Sequence, residues 1–315
     1  MASKRNNRAD HIADHIAVTG YKMASLLARV VPLSVLSGAA FGIGSSLAGA
    51  MRQNRAMVMR HLQRVDPSLT GKRLHRATQQ AFASYSRYYL EAFRLPSLST
   101  SQISAGHHVE GFEHIERAAS YGKGTILALP HMGGWEWSGR WLHDQGYQLT
   151  AVVERLENTE LFEWFVNLRS SFGINVIPLA DDAGVSVGKA LRDNHVVSLL
   201  CDRDIPKDGK RTGVEVQFFG ETTTVPAGPA FFALRTGAQL LPMATFFTPG
   251  ANGHKSVIRP ALVVERQGSL RDDVARITQM LTTEIENLIR QAPEQWHLFQ
   301  PNWPSDPGYQ DQTVA

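Results

Sequence analysis

The chain has 315 residues, a length that suits one large α/β domain or two smaller ones. With 43% hydrophobic and 19% charged residues it has an ordinary globular composition that can bury a full core. A single cysteine, Cys201, excludes an internal disulfide framework, and no His or Cys pattern has zinc-like spacing, so we expect no metal.

The basic charge is concentrated at the start of the chain. Up to residue 80, twelve Lys and Arg residues stand against three acids, so this quarter carries +9 in a chain of net charge +3. Such a block suggests nucleic acid or an anionic membrane as partner. Because its basic residues alternate with apolar ones such as Met57, Val58 and Met59, we predict lipid headgroups and no nucleic acid.

The same region contains an uncharged run of 22 residues, 30–51, which is long enough to cross a bilayer. Pro32 and several Gly and Ser residues weaken its hydrophobicity, and Arg29 and Arg52 flank it. A membrane span, an interfacial helical hairpin and an ordinary buried helix pair therefore all stay open. A secretory signal is not expected, because Asp10 and Asp14 interrupt the early basic segment.

Residues 9–95 are predicted to be helical, and strands then alternate with helices. The predicted strands are TILALP (125–130), YQLTAVVE (147–154), NVIPL (175–179) and HVVSLLCD (195–202). The alternation predicts an α/β fold with a mostly parallel central sheet flanked by helices, ending in an amphipathic helix over 271–293. We expect a basic helical membrane-associating region, 1–95, joined to an α/β core, 96–315, packed as one domain.

A histidine is followed by an acid five positions later at three places: His61–Asp66, His108–Glu113 and His131–Glu136. Positions five apart in a helix lie about 140° apart around its axis, so such a pair cannot share a helix face. The side chains can meet only if the His precedes the helix and the acid falls in its first turn. His61 lies in a continuous helical pattern and is predicted to be a solvated helix end, whereas His108 begins a β-like segment.

His131 is the one that fits. The strand before it leads to the carboxyl edge of the sheet, and Gly133 and Gly134 allow a tight turn and a close approach to a ligand. Glu136 then falls in the opening turn of a helix. A His held by a carboxylate is a general base for a hydroxyl, and N–H groups near the two glycines could steady an oxyanion. The alternative is an incidental loop His beside an N-terminal Glu.

Three charged residues follow another buried strand. Asp202, Arg203 and Asp204 stand at the predicted sheet edge, where Arg203 could bind a phosphate group. One of the two acids could hold His131 instead of, or alongside, Glu136. A local Asp–Arg–Asp salt bridge is the alternative.

Other nucleophiles have weaker support. Residues 184–188, GVSVG, match the G-x-S-x-G pattern of hydrolases, but Ser186 falls in a helical pattern with no strand running into it. Cys201 lies in a buried-strand pattern. Trp296 and Trp303 are predicted to serve core or lid packing.

The chain resembles the bacterial lipid A biosynthesis (lauroyl/myristoyl) acyltransferase family over residues 80–305. The matching blocks, in the expected order, are VEGFEHIERAASYGKGTILALPHMGGWE, LRSSFGINVIPL, CDRD, FFGETTTVPAGPAFFALRTGA and APEQWHLFQPNW. Within the family it is most similar to the actinobacterial phosphatidylinositol mannoside acyltransferases.

The resemblance implies an O-acyltransferase that moves a fatty acyl chain, typically palmitoyl, from acyl-CoA to a mannose hydroxyl of a phosphatidylinositol mannoside. It implies no cofactor beyond the co-substrate acyl-CoA, and a place on the cytoplasmic face of the inner membrane, peripheral or weakly inserted. We expect a monomer. An acceptor of the lipid A type, or hydrolysis of an acyl ester or thioester, is the alternative activity.

The resemblance also assigns residues. His131 matches the family's catalytic base and Glu136 its acid partner, in the pattern His-x4-Glu. Arg169 matches an Arg expected near the active site, where it would support the pair or a polar headgroup. Gly134 stands where the family often has Asn, so this chain lacks the side chain that the family often has there. Glu221 is expected either at the acyl or sugar site or in a simple turn.

Overall fold

The computed structural model describes residues 18–31, 33–180, 182–206, 211–250 and 252–310. The early charged residues of the basic block lie outside the described residues, namely Lys4, Arg5, Arg8, Asp10 and Asp14. Pro32 also lies outside them.

Within the described part of the chain, four helices form the front of the molecule: α1 (18–30), α2 (Leu33–Ala50), α3 (Arg52–Val65) and α4 (Gly71–Arg94). Helix α2 packs closely on α4 at Gly44, which has no side chain. A Cβ atom added there would lie only 2.5 Å from the backbone nitrogen of Ala83. No helix within the described residues is long and apolar enough to cross a membrane.

A seven-stranded sheet forms the centre of the fold. The described residues contain nine strands, of which seven belong to this sheet: β1 (His107–Glu110), β2 (Thr125–Leu129), β3 (Leu149–Val153), β4 (Ile174–Pro178), β5 (Val196–Leu200), β6 (Val214–Phe218), β7 (Glu221–Val225), β8 (Gln239–Phe247) and β9 (His254–Ile258). Their order in the sheet is β1-β9-β8-β2-β5-β3-β4, and β6 and β7 form a separate hairpin. Every pair in the large sheet is parallel except β8–β9. The predicted mostly parallel α/β architecture is confirmed.

Seven further helices of the described residues flank the sheet: α5 (Thr100–Ala105), α6 (Phe112–Ser120), α7 (Trp135–Asp144), α8 (Thr159–Ser170), α9 (Ala183–Arg192), α10 (Gly228–Thr236) and α11 (Leu270–Ile289). Both faces of the sheet are covered, so its central strands are continuous apolar runs. Along β2, Ile126 and Ala128 pack with helices α9, α10 and α11. Leu127 and Leu129 point to the other face and pack with α4 to α8, as the two-residue period of a strand requires.

The last segment of the chain returns across the carboxyl edge of the sheet. We call residues 293–306 the C-terminal strap. Its backbone bonds the loop after β2, since Gly133 N donates to Gln295 O at 3.1 Å and His297 N donates to His131 O at 2.7 Å. The strap therefore lies directly against the segment that carries His131.

Helix α3 fastens the end of the strap. The buried carboxylate of Asp306 accepts from Arg60 Nε at 2.9 Å and from Arg64 Nη2 at 3.0 Å. His61 is only 2% exposed; its Nδ1 lies 3.0 Å from Leu298 O and its Nε2 lies 3.3 Å from Asp306 Oδ2. The prediction of a solvated His61 is wrong, because its partners come from a segment more than 230 residues further along the chain.

Candidate active site

Strand register brings His131 and Asp202 together. Strands β2 and β5 are adjacent and parallel, with Leu129 paired to Leu200. His131 and Asp202 each lie two residues beyond that pair, at the carboxyl edge of the sheet. His131 Nδ1 lies 2.7 Å from Asp202 Oδ1, and the backbone N–H of His131 donates to Asp202 Oδ2 at 3.0 Å.

The two members of this pair differ in exposure. The Asp202 side chain is fully buried, whereas the His131 side chain is 30% exposed. Because the ionised carboxylate only accepts, Nδ1 of His131 carries the proton and the neutral ring has its lone pair on Nε2. This is the tautomer that a general base requires.

Asp202 is kept ionised by its donors. Burial by itself would raise the pKa of this carboxyl, but the charge and hydrogen bond of His131 and the indole N–H of Trp296 outweigh it, so the pKa lies below its ordinary value. Trp296 Nε1 donates to Asp202 Oδ2 at 2.7 Å. The Asn302 side chain also donates to the Asp202 carbonyl at 3.0 Å.

Glu136 belongs to a different cluster. Its Oε1 accepts from Tyr88 Oη at 2.6 Å and from Arg169 Nη2 at 3.0 Å, and the residue is only 2% exposed. Burial raises the pKa of Glu136, and the charge of Arg169 opposes that rise. Helix α7 begins at Trp135, so Glu136 sits in its first turn and contacts α4 and α8.

The carboxylate that holds His131 is therefore Asp202, and the pairing of His131 with Glu136 expected from the sequence is not the one present. Glu136 and Arg169 form a buried ion pair that joins α7 to α8. The Arg169 guanidinium also lies 5.5 Å from the ring centroids of both Trp135 and Phe165.

The glycine turn after His131 has the conformation that the sequence predicts. Gly133 has φ +54°, and a Cβ atom there would lie 1.9 Å from the Thr245 carbonyl oxygen. A Cβ atom on Gly134 would lie 2.9 Å from His254 Nε2. The N–H of Gly133 already donates to Gln295, so it is not free to bind an oxyanion. The same role for Gly134 stays a prediction.

A cavity of about 550 Å³ borders His131, within the size range of small-molecule sites. Most of its wall is apolar. The apolar lining residues are Val152, Val153, Leu179, Ala180, Ala183, Val187, Leu199, Leu200, Ile205, Pro206, Pro226, Ala227, Pro229 and Phe232. Such a wall suits an alkyl chain.

The other predicted residues divide between the cavity and the hairpin. Arg203 and Asp204 both line the cavity. Arg203 Nη2 donates to Glu154 Oε2 at 2.5 Å, and Asp204 Oδ2 accepts from Gly213 N at 3.1 Å, so the alternative of a local Asp–Arg–Asp bridge is wrong. Glu221 begins β7 and accepts from Arg64 at 3.1 Å, outside the lining of the described cavity.

The rival nucleophiles are poorly placed for catalysis. Ser186 lies inside helix α9 on its exposed side, so the sharp strand-to-helix turn of a hydrolase is missing at this position. Cys201 is buried, and burial together with the charge of Asp202 raises the pKa of its thiol well above the ordinary value. Within the described ranges, no group of three or more His, Cys, Asp or Glu side chains is arranged to hold a metal ion.

Sequence reasoning missed the site residues that act over long separations. Trp296 and Asn302 reach Asp202 from about 100 residues away, and Tyr88 reaches Glu136 from α4. Trp296 and Asn302 both lie in the block APEQWHLFQPNW, for which the sequence predicts only a packing role.

Known proteins with similar sequences are acyltransferases, an activity for which a His–Asp pair beside an apolar cavity is suited. The sequence model of the family described as "Bacterial lipid A biosynthesis acyltransferase" matches residues 4–305. The chain is 38% identical over 228 residues to a phosphatidylinositol mannoside acyltransferase of Mycobacterium tuberculosis, covering 71% of this chain and 69% of the relative. It is 35% identical over 293 residues to the protein of that name from Mycolicibacterium smegmatis, covering 91% of each.

A more distant relative widens the comparison beyond mannosides. The chain is 25% identical over 273 residues to a lipid A biosynthesis acyltransferase of Haemophilus influenzae, covering 86% of this chain and 82% of the relative. The resemblance read from the sequence is confirmed, and the chain belongs to the bacterial lipid A biosynthesis acyltransferase family.

Proposed function

We propose that this acyltransferase moves a fatty acyl chain, palmitoyl in particular, from acyl-CoA to a mannose hydroxyl of a phosphatidylinositol mannoside. The observation that carries the proposal is the 2.7 Å contact between His131 and the buried Asp202 on the wall of a largely apolar cavity. The names of the mycobacterial relatives support the choice of acceptor.

In this proposal His131 is the general base and Asp202 its carboxylate. Nε2 takes the proton of the sugar hydroxyl as that oxygen attacks the thioester carbonyl. Asp202 stabilises the imidazolium that forms and remains ionised. The tetrahedral intermediate collapses, its C–S bond breaks, and the CoA thiolate takes the proton from His131. The reaction then needs no cofactor, and acyl-CoA is a co-substrate.

The cavity and the arginine side chains on its wall would bind the acyl donor, acyl-CoA. The alkyl chain would lie against the apolar wall, and Arg203, together with Arg155 on the same wall, would attract phosphate groups of CoA or of the lipid acceptor. Arg203 already has Glu154 as a partner, which fixes its guanidinium at the cavity. We expect Asp204 to shape the loop behind Arg203 rather than to touch substrate.

We also propose that the helical front docks on the cytoplasmic face of the inner membrane as a peripheral contact of a monomer. Four apolar residues of α1, at the spacing of one helix face, are between 53% and 77% exposed: Met23, Leu26, Leu27 and Val30. Val35, Phe41 and Ile43 of α2 are exposed as well. Apolar side chains beside a basic region are the composition of an interfacial helix.

The acceptor is tested by incubating the protein with palmitoyl-CoA, with and without a mannosylated phosphatidylinositol, and measuring free CoA and the lipid products by mass spectrometry. We expect CoA release that depends on the acceptor, with one palmitoyl group added to the glycolipid. Equal release of CoA with and without the acceptor would indicate a thioesterase. Acylation of a lipid A precursor alone would transfer the proposal to that acceptor.

Membrane docking is tested by co-sedimentation with vesicles of phosphatidylcholine alone and of phosphatidylcholine with phosphatidylinositol. The double variant Leu26→Gln/Leu27→Gln should lose vesicle binding. Val263→Gln, a change at an equally exposed apolar residue far along the chain, should bind as wild type does. Equal binding by all three proteins would contradict the proposed surface.

A further inference from the structure

We propose that Trp296 is a positioning residue: its indole N–H fixes the Asp202 carboxylate so that Oδ1 is presented to His131. The proposal rests on the proposed role of His131 as the base, and it gives the C-terminal strap a task in the reaction. The packing role expected for Trp296 from the sequence does not include this contact.

The two oxygens of Asp202 have separate partners. Oδ1 lies 2.7 Å from His131 Nδ1, whereas Oδ2 accepts from Trp296 Nε1 at 2.7 Å and from His131 N at 3.0 Å. The side chain is fully buried, so water does not replace a lost donor easily. Without the indole N–H, one of the two contacts that orient Oδ2 disappears, and the carboxylate gains freedom to rotate away from the imidazole.

Trp296 is itself held in place. It is buried, with its ring centroid 5.9 Å from that of Phe218, 5.7 Å from Phe219 and 5.8 Å from His61. Its backbone forms an isolated antiparallel bridge with Met132, the residue after His131. The strap thus contacts both members of the pair, His131 through the backbone and Asp202 through the indole.

The strap offers a matched control residue. Trp303 is also buried, and its Nε1 donates to the Phe218 carbonyl at 3.1 Å rather than to Asp202. Replacing either Trp by Phe removes one buried indole hydrogen bond from the same segment. Only Trp296→Phe removes it from Asp202.

Among the described residues, the titratable groups near the pair come from the strap, from the loop after β5 and from the cavity wall that carries Glu154 and Arg155. His297 comes from the strap, and burial followed by the charge of His131 lowers its pKa to about 3, so it stays neutral. Cys201 precedes Asp202 and its thiol stays protonated. Arg203 and Asp204 are engaged by Glu154 and Gly213. His61 contacts the rings of both Trp296 and Trp303, so a change in the acid limb found only in Trp296→Phe reports on His131 and Asp202.

The test compares Trp296→Phe with Trp303→Phe in three measurements. We expect Trp296→Phe to lower kcat on the order of 10- to 100-fold, the scale of a small misplacement of a catalytic group, with KM changed less than about threefold. Its acid limb should move to lower pH, because a carboxylate that rotates away from the imidazole stabilises the protonated ring less. Trp303→Phe should leave kcat, KM and the limb close to wild type.

The third measurement needs no substrate. The proton between His131 and Asp202 is followed as a low-field resonance in the proton NMR spectrum, assigned by its loss in His131→Gln. We expect Trp296→Phe to shift or broaden this resonance and Trp303→Phe to leave it in place. If Trp296→Phe does not fold, 3-benzothienylalanine at position 296 keeps the ring shape and removes only the N–H.

The outcomes separate this inference from the proposed function. An unmoved resonance and an unmoved acid limb in Trp296→Phe would overturn the positioning role even if acyl transfer is found. Equal effects of the two Trp variants would also overturn it, because a purely structural loss explains them. If no acyl acceptor is found but the resonance moves only in Trp296→Phe, the indole does fix the carboxylate and the proposed reaction alone fails.

Discussion

His131 and Asp202 lie side by side although 70 residues separate them in the chain, because each stands two residues beyond the paired residues Leu129 and Leu200 of adjacent parallel strands. The register of β2 and β5, not a local sequence spacing, creates the pair. The carboxyl edge of an open parallel sheet is also where ligands bind in such folds.

Glu136 should contribute mainly to stability. Glu136→Gln leaves the Arg169 guanidinium buried without its countercharge, and we expect a loss of about 3–5 kcal/mol in the free energy of unfolding. Urea unfolding measures it, with Glu163→Gln, a change at an exposed residue of α8, as the control that should stay within about 0.5 kcal/mol. The double variant Glu136→Gln/Arg169→Met should recover part of the lost free energy of unfolding. If the double variant instead loses the sum of the two single losses, the ion pair does not contribute to stability.

The turn at Gly133 should tolerate no side chain. Gly133→Ala combines a left-handed φ with a Cβ atom 1.9 Å from Thr245 O, so the β8 backbone must move. Gly122 also has a positive φ, +67°, but open space around it, and Gly122→Ala should cost only about 1–2 kcal/mol. We expect Gly133→Ala to lower the melting temperature much further. Similar melting temperatures for the two variants would contradict the close approach.

The cavity should select acyl chains by length. Gly184 of α9 lines it, and a Cβ atom there would lie 3.7 Å from Phe232 Cζ, an ordinary contact. Gly184→Ala should therefore act like wild type, whereas Gly184→Leu should fill part of the cavity. We expect its kcat/KM for palmitoyl-CoA, relative to that for a shorter acyl-CoA, to fall about tenfold or more. An unchanged ratio would place the acyl chain elsewhere.

Stability should decline in mild acid because of His107. Burial, followed by the charge of His254, lowers the pKa of His107 to about 3, while the unfolded chain keeps a value of about 6.5. Below about pH 6.5 His107 is protonated in the unfolded state but stays neutral in the folded state. The free energy of unfolding therefore falls as the pH drops from about 6.5 towards 3.

The size of this effect is at most about 2 kcal/mol between pH 7.5 and pH 5 for the one histidine. His107→Gln should remove it, and urea unfolding of both proteins at the two pH values measures the difference. An equal loss of stability in wild type and variant would show that other groups carry the acid sensitivity.

Much of the local framework follows from the sequence. The apolar run before His131 predicts a buried strand, and the following glycines predict the turn into a helix. Both are present as β2 and α7, because these signals depend on short-range periodicity and backbone freedom. The strands over 147–154 and 195–202 were predicted for the same reason.

The partner of His131 could not be chosen from the sequence. Glu136 is close along the chain, whereas Asp202 becomes a neighbour only because β5, rather than β3, lies next to β2. The burial of His61 escaped prediction similarly, since its partners lie in the C-terminal strap. The sequence pattern predicts no helix or strand over 205–269. Strand β8 is there a buried, mostly apolar segment, and its antiparallel pairing with β9 depends on tertiary packing.

Whether Asp202 or Glu136 holds the base is decided by comparing kcat for Asp202→Asn and Glu136→Gln in acceptor-dependent CoA release. Both variants are assayed at a temperature where circular dichroism shows them folded. We predict that Asp202→Asn lowers kcat by about 10³- to 10⁴-fold, because the wrong tautomer of His131 is then favoured. Glu136→Gln should stay within about tenfold of wild type, and the reverse order of the two effects would show that Glu136, not Asp202, holds His131.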